Sequence, residues 1–173
     1  MADAIAQTDV LLSVEGLEAG YGEVQVLWGL SLQARRGKLT AIVGANGAGK
    51  TTTLRAVAGT LTPWGGRVML DGQDVTRVSS HVKAARGLMS DPQILIIDEL
   101  SLGLAPVVVY QLLATLKQLK QNGLTILLVE QNVHLALALS DYAYVIAEGR
   151  IFTEGLPAEL AAKPEIRRAY LGL

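Results

Sequence analysis

The feature that most constrains this chain is a glycine-rich loop between a predicted strand and a predicted helix. Residues 44–52 read GANGAGKTT and directly follow the strand-like run KLTAIV. They fill every position of the pattern G-x-x-x-x-G-K-[ST], with Gly44, Gly49, Lys50 and Thr51 at its fixed places. Glycines let the backbone turn its N–H groups inward, and the following helix adds the positive end of its dipole. The loop therefore predicts a site for a di- or triphosphate, rather than a plain glycine-rich turn with a surface lysine.

The expected roles within the loop follow from its chemistry. We expect Lys50 to reach the β- and γ-phosphates and Thr51 to place its hydroxyl on Mg²⁺. Backbone N–H groups of the remaining residues should surround the phosphates. The predicted nucleotide-contacting residues of the loop are Gly44, Ala45, Asn46, Gly47, Ala48, Gly49, Lys50, Thr51 and Thr52.

A second motif places two acids just past a buried strand. Residues 94–99 read ILIIDE. In open parallel sheets, ligands bind at the carboxyl ends of strands, so Asp98 and Glu99 should lie beside the phosphate-binding loop. We expect Asp98 to hold Mg²⁺ through its water shell and Glu99 to orient or deprotonate the attacking water. Alone, the motif is equally consistent with an acidic turn after a core strand. Its pairing with the phosphate-binding loop favours the catalytic interpretation.

The pattern of apolar runs and turn residues predicts an α/β fold in one domain, residues 1–173. Unalternated runs such as ILII and TILLV, separated by helices, indicate a parallel sheet covered on both faces. The helix at 107–121 is apolar around most of its circumference and is expected to be well buried. The predicted strands are 11–17, 24–32, 38–43, 67–70, 94–97, 125–129, 142–146 and 150–153, and the predicted helices are 49–59, 81–89, 107–121, 133–139 and two short C-terminal ones.

Composition narrows the classes of function. The net charge of −1 and a pI of about 6.1 argue against broad binding to nucleic acid or to anionic membranes. The absence of cysteine excludes disulfides and thiolate metal sites and fits a reducing compartment. The apolar runs are far shorter than the roughly 20 residues that span a bilayer, and the first residues do not resemble a secretion signal. We therefore expect a soluble protein that meets a membrane only through a partner.

With both motifs in place, the chain from Leu11 to its end resembles the nucleotide-binding subunits of ABC transporters. The strings SLGLAP (101–106), LLVEQN (127–132) and AYLG (169–172) are most similar to the paired ATPases of branched-chain amino acid importers. The resemblance implies a P-loop NTPase core with a parallel sheet flanked by helices, plus an N-terminal antiparallel β subdomain. It also implies ATP and Mg²⁺ as cofactors and ATP hydrolysis that drives the movement of a small solute.

The resemblance also implies partners and further site residues. Its partners are a second nucleotide-binding subunit and membrane-spanning permease subunits, with no nucleic acid, which implies a cytoplasmic protein held at the inner face of the cell membrane. Tyr21 matches the aromatic residue that stacks on adenine, although a tyrosine that closes a turn beside a core strand is the alternative. Gln131 stands where many members carry a histidine that contacts the γ-phosphate, and it can donate a hydrogen bond but cannot take up a proton. The loop Ser101–Leu104 matches the segment that meets the partner subunit. Leu100 replaces a proline, which loosens the chain after Glu99.

The main departure from the family lies between the two motifs. In the family, a strand ending in glutamine, a helical subdomain and an L-S-G-G-Q-type signature separate them. Here only the 23 residues 71–93 connect the strand 67–70 to the strand at 94. A helix 81–89 capped by Ser80 would be about 14 Å long, which is enough for one crossover only. We therefore predict that the helical subdomain is absent, with an apparent internal deletion near residues 83–86, and that a sheet edge is left exposed.

Three functions remain to be weighed. The first is the ATP-binding subunit of an importer that binds Mg-ATP with little turnover, because the loss of one preorganised donor set costs on the order of 10²–10³ in rate. The alternative is a nucleotide-binding or assembly module that does not hydrolyse ATP. A different P-loop enzyme, such as a small kinase, is disfavoured because the sequence shows no acceptor-binding lid and no arginine cluster. The sequence does not identify the transported solute.

Overall fold

The computed structural model describes residues 9–83 and 93–171. It contains two β-sheets with one helix packed between them. The first sheet is antiparallel, with the strand order β2-β1-β4-β5. Its strands are β1 (Val10–Tyr21), β2 (Val24–Arg35), β4 (Gly65–Leu70) and β5 (Gln73–Asp74). The implied N-terminal antiparallel sheet is therefore present.

β1 and β2 are both longer than predicted, at 12 residues each. Ala19 and Gly20, which lie outside the predicted strands 11–17 and 24–32, continue β1 to Tyr21. Gly20 is needed there because a Cβ at this position would collide with the carbonyl oxygen of Val24 on β2. The glycine thus permits a close strand pairing rather than a turn.

The second sheet carries the strand order β6-β7-β3-β8-β9. Its strands are β3 (Leu39–Val43), β6 (Ile94–Asp98), β7 (Thr125–Glu130), β8 (Tyr142–Ala147) and β9 (Arg150–Gly155). The first four in this order are parallel, as predicted, whereas β9 runs antiparallel to β8. The reversal occurs at Glu148 and Gly149, which both have positive φ (49° and 72°), a feature of tight two-residue hairpin turns.

Helices cover both faces of the second sheet. They are α1 (Lys50–Ala58), α2 (Ser80–Lys83), α3 (Pro106–Gln121), α4 (Val133–Leu139), α5 (Pro157–Ala162) and α6 (Pro164–Ile166), followed by a π-helical turn at Arg167–Leu171. α1 packs between the two sheets in the largest cluster of buried side chains. α3–α6 lie on the opposite face, where Ala41 and Val43 of β3 share one buried cluster with side chains of α4, α5 and α6, and Leu39 shares another with side chains of α3 and α4. The α/β architecture with helices on both faces is therefore confirmed.

The limits of α1 agree with the prediction. The helix begins directly after Gly49 and ends at Gly59, whose left-handed backbone (φ 79°) directs its N–H to the carbonyls of Arg55 and Ala56. This is the usual way in which a glycine closes the last helical turn. A side chain at position 59 would also collide with the carbonyl oxygen of Val78 or crowd the Lys83 side chain, so the glycine is fixed by packing as well.

The predicted burial of α3 is wrong. Its first turns face solvent, with Val107 64% and Tyr110 72% exposed, and Leu116 is its buried residue. The apolar pattern indicated that the helix could be buried on several sides. The described part of the chain supplies packing partners for only one side, chiefly β3, β7 and α4.

The crossover between the two sheets differs in detail from the prediction. α2 begins at Ser80, and the carbonyl of Ser79 accepts the N–H groups of Val82 and Lys83, so Ser79 rather than Ser80 occupies the capping position. The predicted remainder of this helix and most of the predicted deletion site, beyond Lys83, lie outside the described residues.

β6 forms one end of the second sheet. It pairs with β7, and within residues 9–83 and 93–171 no other strand pairs with it. The sheet edge that was predicted to be exposed would lie here, and its exposure stays a prediction. Within the same residues, no helix is long and apolar enough to cross a membrane.

Candidate functional site

The glycine-rich loop connects β3 to α1, and its conformation depends on its glycines. Gly47 and Gly49 have φ values of 79° and 105°, which side chains disfavour. Gly44 is constrained differently, because a Cβ there would collide with the carbonyl oxygen of Ile146 on β8. Three of the predicted glycines are therefore required by the backbone or by packing. The tip of the loop, residues 45–47, is exposed to solvent and thus accessible to a ligand.

Lys50 lies folded over this loop. Its side chain is only 4% exposed, and its Nζ donates hydrogen bonds to the carbonyls of Gly44 (3.0 Å) and Ala45 (3.1 Å). The same Nζ lies 3.7 Å from Oε1 of Glu99. A buried ammonium held by backbone carbonyls at the mouth of the loop is a fixed positive charge that can be offered to a phosphate.

The first turn of α1 meets the end of β6. Thr51 Oγ1 donates a hydrogen bond to Oδ2 of Asp98 at 3.1 Å. The two predicted magnesium-binding residues therefore lie together, although 47 positions separate them in the sequence. Hydroxyl and carboxylate oxygens are ligands that Mg²⁺ prefers, and this ion usually completes its coordination with water and substrate phosphates. The described residues contain no cluster of three or more His, Cys, Asp or Glu side chains that could hold a metal. The pair thus fits an ion that arrives with a phosphate ligand rather than a permanent metal centre.

Glu99 follows this pair with an unusual backbone. Its φ is 49°, and its N–H donates to the carbonyl of Val129 on β7 at 2.9 Å. Positive φ is uncommon for a residue with a side chain and costs of order 1–3 kcal/mol. Here it directs the carboxylate back towards Lys50.

Gln131 directly follows the last residue of β7. Together with Glu99 and the loop after it, Gln131 lines a cavity of about 330 Å³. The remaining lining residues are Ser101, Leu102, Gly103, Glu130 and Asn132. The structure therefore brings both predicted catalytic residues to one cavity beside the phosphate-binding loop.

Glu130 is a residue that the sequence reasoning missed. Its side chain is 1% exposed, and its carboxylate accepts the backbone N–H and the hydroxyl of Ser101, each at 2.9 Å. The N–H of Asn132 also points to it at 3.5 Å. Its position as an acid at the end of a buried strand could have indicated a role, but the family resemblance falls on the adjacent Gln131.

Tyr21 lies over the start of α1. Its hydroxyl accepts a hydrogen bond from Arg55 at 3.0 Å, and the guanidinium carbon of Arg55 lies 5.9 Å from the ring centroid. A hydrogen bond to Thr52 lowers the pKa of Tyr21, and the nearby Arg55 adds to this effect while burial opposes it. The ring is 43% exposed. An accessible aromatic face thus lies next to the last residue of the predicted phosphate-binding set, Thr52.

Comparison with known proteins supports the interpretation of this geometry. Residues 27–84, which include β3, the loop and α1, match a family model described as ABC transporter. In this segment the chain is similar to ABC transporter proteins. By resemblance it is an ATP hydrolase of the ABC type.

Curated relatives and solved structures point in the same direction. A high-affinity branched-chain amino acid transport ATP-binding protein, BraG of Pseudomonas aeruginosa, is 28% identical, with 94% of this chain and 100% of the relative covered. The lipopolysaccharide export system ATP-binding protein LptB of Escherichia coli is 22% identical, with 93% and 97% covered. The ADP conformation of MJ1267, an ATP-binding cassette of an ABC transporter, superimposes with a TM-score of 0.82 at 21% identity, over 95% of this chain and 99% of that one.

The alignment with BraG runs over 232 positions, whereas this chain has 173 residues. Since the alignment covers the relative from end to end, a substantial part of the relative has no counterpart here. CbiO1 of Clostridium perfringens, part of the ABC transporter complex CbiONQ, also shares the fold, with a TM-score of 0.81 at 22% identity, over 92% of this chain and 94% of that one.

Proposed function

We propose that this chain is the ATP-binding subunit of an importer, by resemblance one for branched-chain amino acids, and that it binds Mg-ATP with little turnover. The observation that carries the proposal is the meeting of Thr51 and Asp98 at 3.1 Å beside the buried ammonium of Lys50. This arrangement offers one positive charge and one metal-binding pair at the same loop, as a Mg-nucleotide requires.

In the proposed complex, each part of the site acts on a different part of the ligand. Gly44 to Thr52 surround the phosphates through backbone N–H groups, and Lys50 binds the terminal phosphates. Thr51 and Asp98 hold Mg²⁺, which neutralises the phosphate charge. Tyr21 stacks on the adenine ring. Glu99 then orients the attacking water, and Gln131 donates a hydrogen bond to the γ-phosphate.

The low turnover follows from the proposed internal deletion near residues 83–86. With 23 residues between β4 and β6, the chain has too few to build the helical subdomain and the signature of an ABC-type ATPase. In the family the signature of one subunit completes the nucleotide site of the other. Without those donors, hydrolysis should fall on the order of 10²–10³-fold. The 232-position alignment with a relative supports this view of a missing segment.

The solute and the partners belong to the proposal as well. BraG favours branched-chain amino acids, while LptB makes lipopolysaccharide export the competing assignment at lower identity. In either case the partners are a second nucleotide-binding subunit and permease subunits, which hold the chain at the cytoplasmic face of the membrane. The comparison with CbiO1, part of a transporter complex, is consistent with such an assembly.

Two measurements on the purified chain test the proposal. Mg-ATP at 100 times its Kd should stabilise the folded state by about 2.7 kcal/mol, which corresponds to a Tm increase of roughly 5–10 °C. Steady-state phosphate release should stay far below that of an intact ABC-type ATPase measured in parallel. The absence of thermal stabilisation would contradict the nucleotide site, and release at the intact level would contradict the low turnover.

The second candidate is a nucleotide-binding or assembly module without turnover. It is supported by the fact that Thr51 and Asp98, the proposed metal-binding residues, are hydrogen-bonded within one chain. Thermal stabilisation by Mg-ATP with phosphate release at the level of a Glu99→Gln variant would select this module. Release that is slow but above that variant would select the importer subunit.

A further inference from the structure

The hairpin turn between β8 and β9 lies directly behind the phosphate-binding loop. The N–H of Gly149 donates to the carbonyl of Ala48 in the loop at 3.0 Å. The carbonyl of Gly149 accepts the N–H of Trp28 on β2, also at 3.0 Å. One residue of this turn therefore joins the phosphate-binding loop to a strand of the other sheet.

The contact at this turn leaves no room for a side chain. A Cβ on Gly149 would collide with the carbonyl oxygen of Val26 on β2. A Cβ on Gly49 would lie 2.8 Å from the Leu27 side chain and 3.5 Å from the Cα of Gly149. The turn is thus packed closely between the loop and β2, so a side chain inserted there must push β2 away from the loop.

Arg150, which is exposed, contacts β2 next to the turn. Its guanidinium donates to the carbonyl of Trp28 at 3.0 Å and lies 5.7 Å from the centroid of the Trp28 ring. Such a cation–π contact at an exposed site contributes about 0.5–1 kcal/mol. Arg150 therefore supports the position of β2 without contacting the phosphate-binding loop.

β2 in turn carries the hairpin that ends in Tyr21. Tyr21 on β1 pairs with Val24 at the first position of β2, only two residues before Val26. A continuous series of backbone contacts thus leads from the phosphate-binding loop through Gly149 and β2 to the aromatic ring.

We propose that Gly149 and Arg150 are positioning residues, which set the distance between the phosphate-binding loop and Tyr21 so that one nucleotide is bound at both ends. The inference rests on the proposed nucleotide site and extends it to a turn outside the residues 27–84 that match the family model. Two-ended recognition requires that both ends be held at a fixed separation before binding, because any adjustment lowers the affinity.

The test compares Gly149→Ala with Gly72→Ala. The two glycines have nearly equal φ values, 72° and 71°, but a Cβ on Gly72 meets nothing within 4 Å. Calorimetry gives the Kd of each variant for Mg-ATP and for Mg-tripolyphosphate, which lacks the base. We expect Gly149→Ala to weaken the binding of Mg-ATP about tenfold or more, and the binding of Mg-tripolyphosphate less than about threefold. Gly72→Ala should leave both unchanged. An equal loss for both ligands, or no loss, would overturn the inference.

A double-mutant cycle with Tyr21→Ala separates positioning from general destabilisation. In the parent chain, Tyr21→Ala should weaken Mg-ATP binding about fivefold, and in Gly149→Ala it should add little, because the ring is already misplaced. Losses that simply multiply would overturn the inference.

Arg150 provides a second route if Gly149→Ala does not fold. Arg150→Ala should weaken the binding of Mg-ATP about threefold and affect the binding of Mg-tripolyphosphate less. Arg150→Lys should restore only part of the lost affinity. Equal Kd values for Arg150→Ala and the parent would count against the inference. If the parent itself does not bind Mg-ATP, the proposed function fails and the inference fails with it. If the parent binds and Gly149→Ala binds equally well, only the inference fails.

Discussion

The carboxylate of Glu130 accepts both the backbone N–H and the hydroxyl of Ser101, each at 2.9 Å. This buried side chain at the end of β7 therefore holds the first residue of the loop that follows Glu99. The start of this loop is thus anchored to a neighbouring strand of the same chain.

Replacing Glu130 should destabilise the protein. Glu130→Ala leaves the Ser101 N–H and hydroxyl without their acceptor, which we expect to cost about 2–3 kcal/mol and to lower Tm by roughly 5–10 °C. Ser101→Ala serves as the matched control, since it removes only the hydroxyl bond and should cost about 1 kcal/mol. Thermal melts of both variants measure the difference. Equal melting temperatures for Glu130→Ala and the parent would show that the loop is held by other contacts.

Removing the charge of Lys50 should abolish most of the nucleotide affinity. Hydrogen bonds to charged groups contribute about 1.5–3 kcal/mol, so Lys50→Met should weaken Mg-ATP binding roughly 10–100-fold. Lys117→Met provides the control, because Lys117 is exposed on α3, away from the phosphate-binding loop. Calorimetric titration gives both affinities. A Lys50→Met variant that binds as tightly as Lys117→Met would contradict the proposed phosphate site.

Asp98 should determine whether the metal strengthens nucleotide binding. In Asp98→Asn the amide oxygen can still accept the hydrogen bond from Thr51, but the charge that attracts Mg²⁺ is lost. We expect the affinity for ATP to become nearly independent of Mg²⁺, whereas that of the parent should fall about tenfold when EDTA removes the metal. An undiminished effect of Mg²⁺ on the variant would show that Asp98 is not a metal ligand.

Lys83 makes stability depend on alkaline pH. The side chain is buried, and its Nζ donates to the carbonyl of Val57 at 2.7 Å. Burial lowers the pKa of Lys83 to about 8 from the 10.5 of an unperturbed lysine, and the carboxylate of Asp74 opposes this only in part. Between these two values the unfolded chain binds more protons than the folded one, so the contribution of Lys83 to stability rises with pH.

The variant Lys83→Met isolates this contribution. The Tm of the parent should rise by a few degrees relative to the Tm of the variant between pH 8 and pH 10, because the buried ammonium progressively loses its charge. Below about pH 8 the difference should be constant. Melting curves that shift in parallel over the whole range would show that the amine titrates as an exposed lysine does.

The sequence predicted the parts of the site that depend on local geometry. The loop at 44–52 and the acids at 98–99 each adjoin a strand, and in a parallel sheet strand ends of like direction meet at one edge. That rule alone places Thr51 and Asp98 close together, as they are in the structure. The limits of α1 followed from its flanking glycines in the same way.

The errors concern relations that neighbouring residues do not determine. The apolar pattern of α3 indicates which faces could be buried but not how many elements are available to cover them, so Val107 and Tyr110 were misjudged. Glu130 was missed because its partner, Ser101, lies 29 positions away.

The two halves of the nucleotide site are supported unequally by the second sheet. β3, which leads into the phosphate-binding loop, pairs with a strand on each side, while β6, which carries Asp98, pairs with β7 alone among the described residues. Local unfolding free energies are lowest at such margins. Amide hydrogen exchange should therefore be faster in β6 than in β3. A transient opening of β6 would separate the carboxylates from the phosphate-binding loop while the loop itself stays folded.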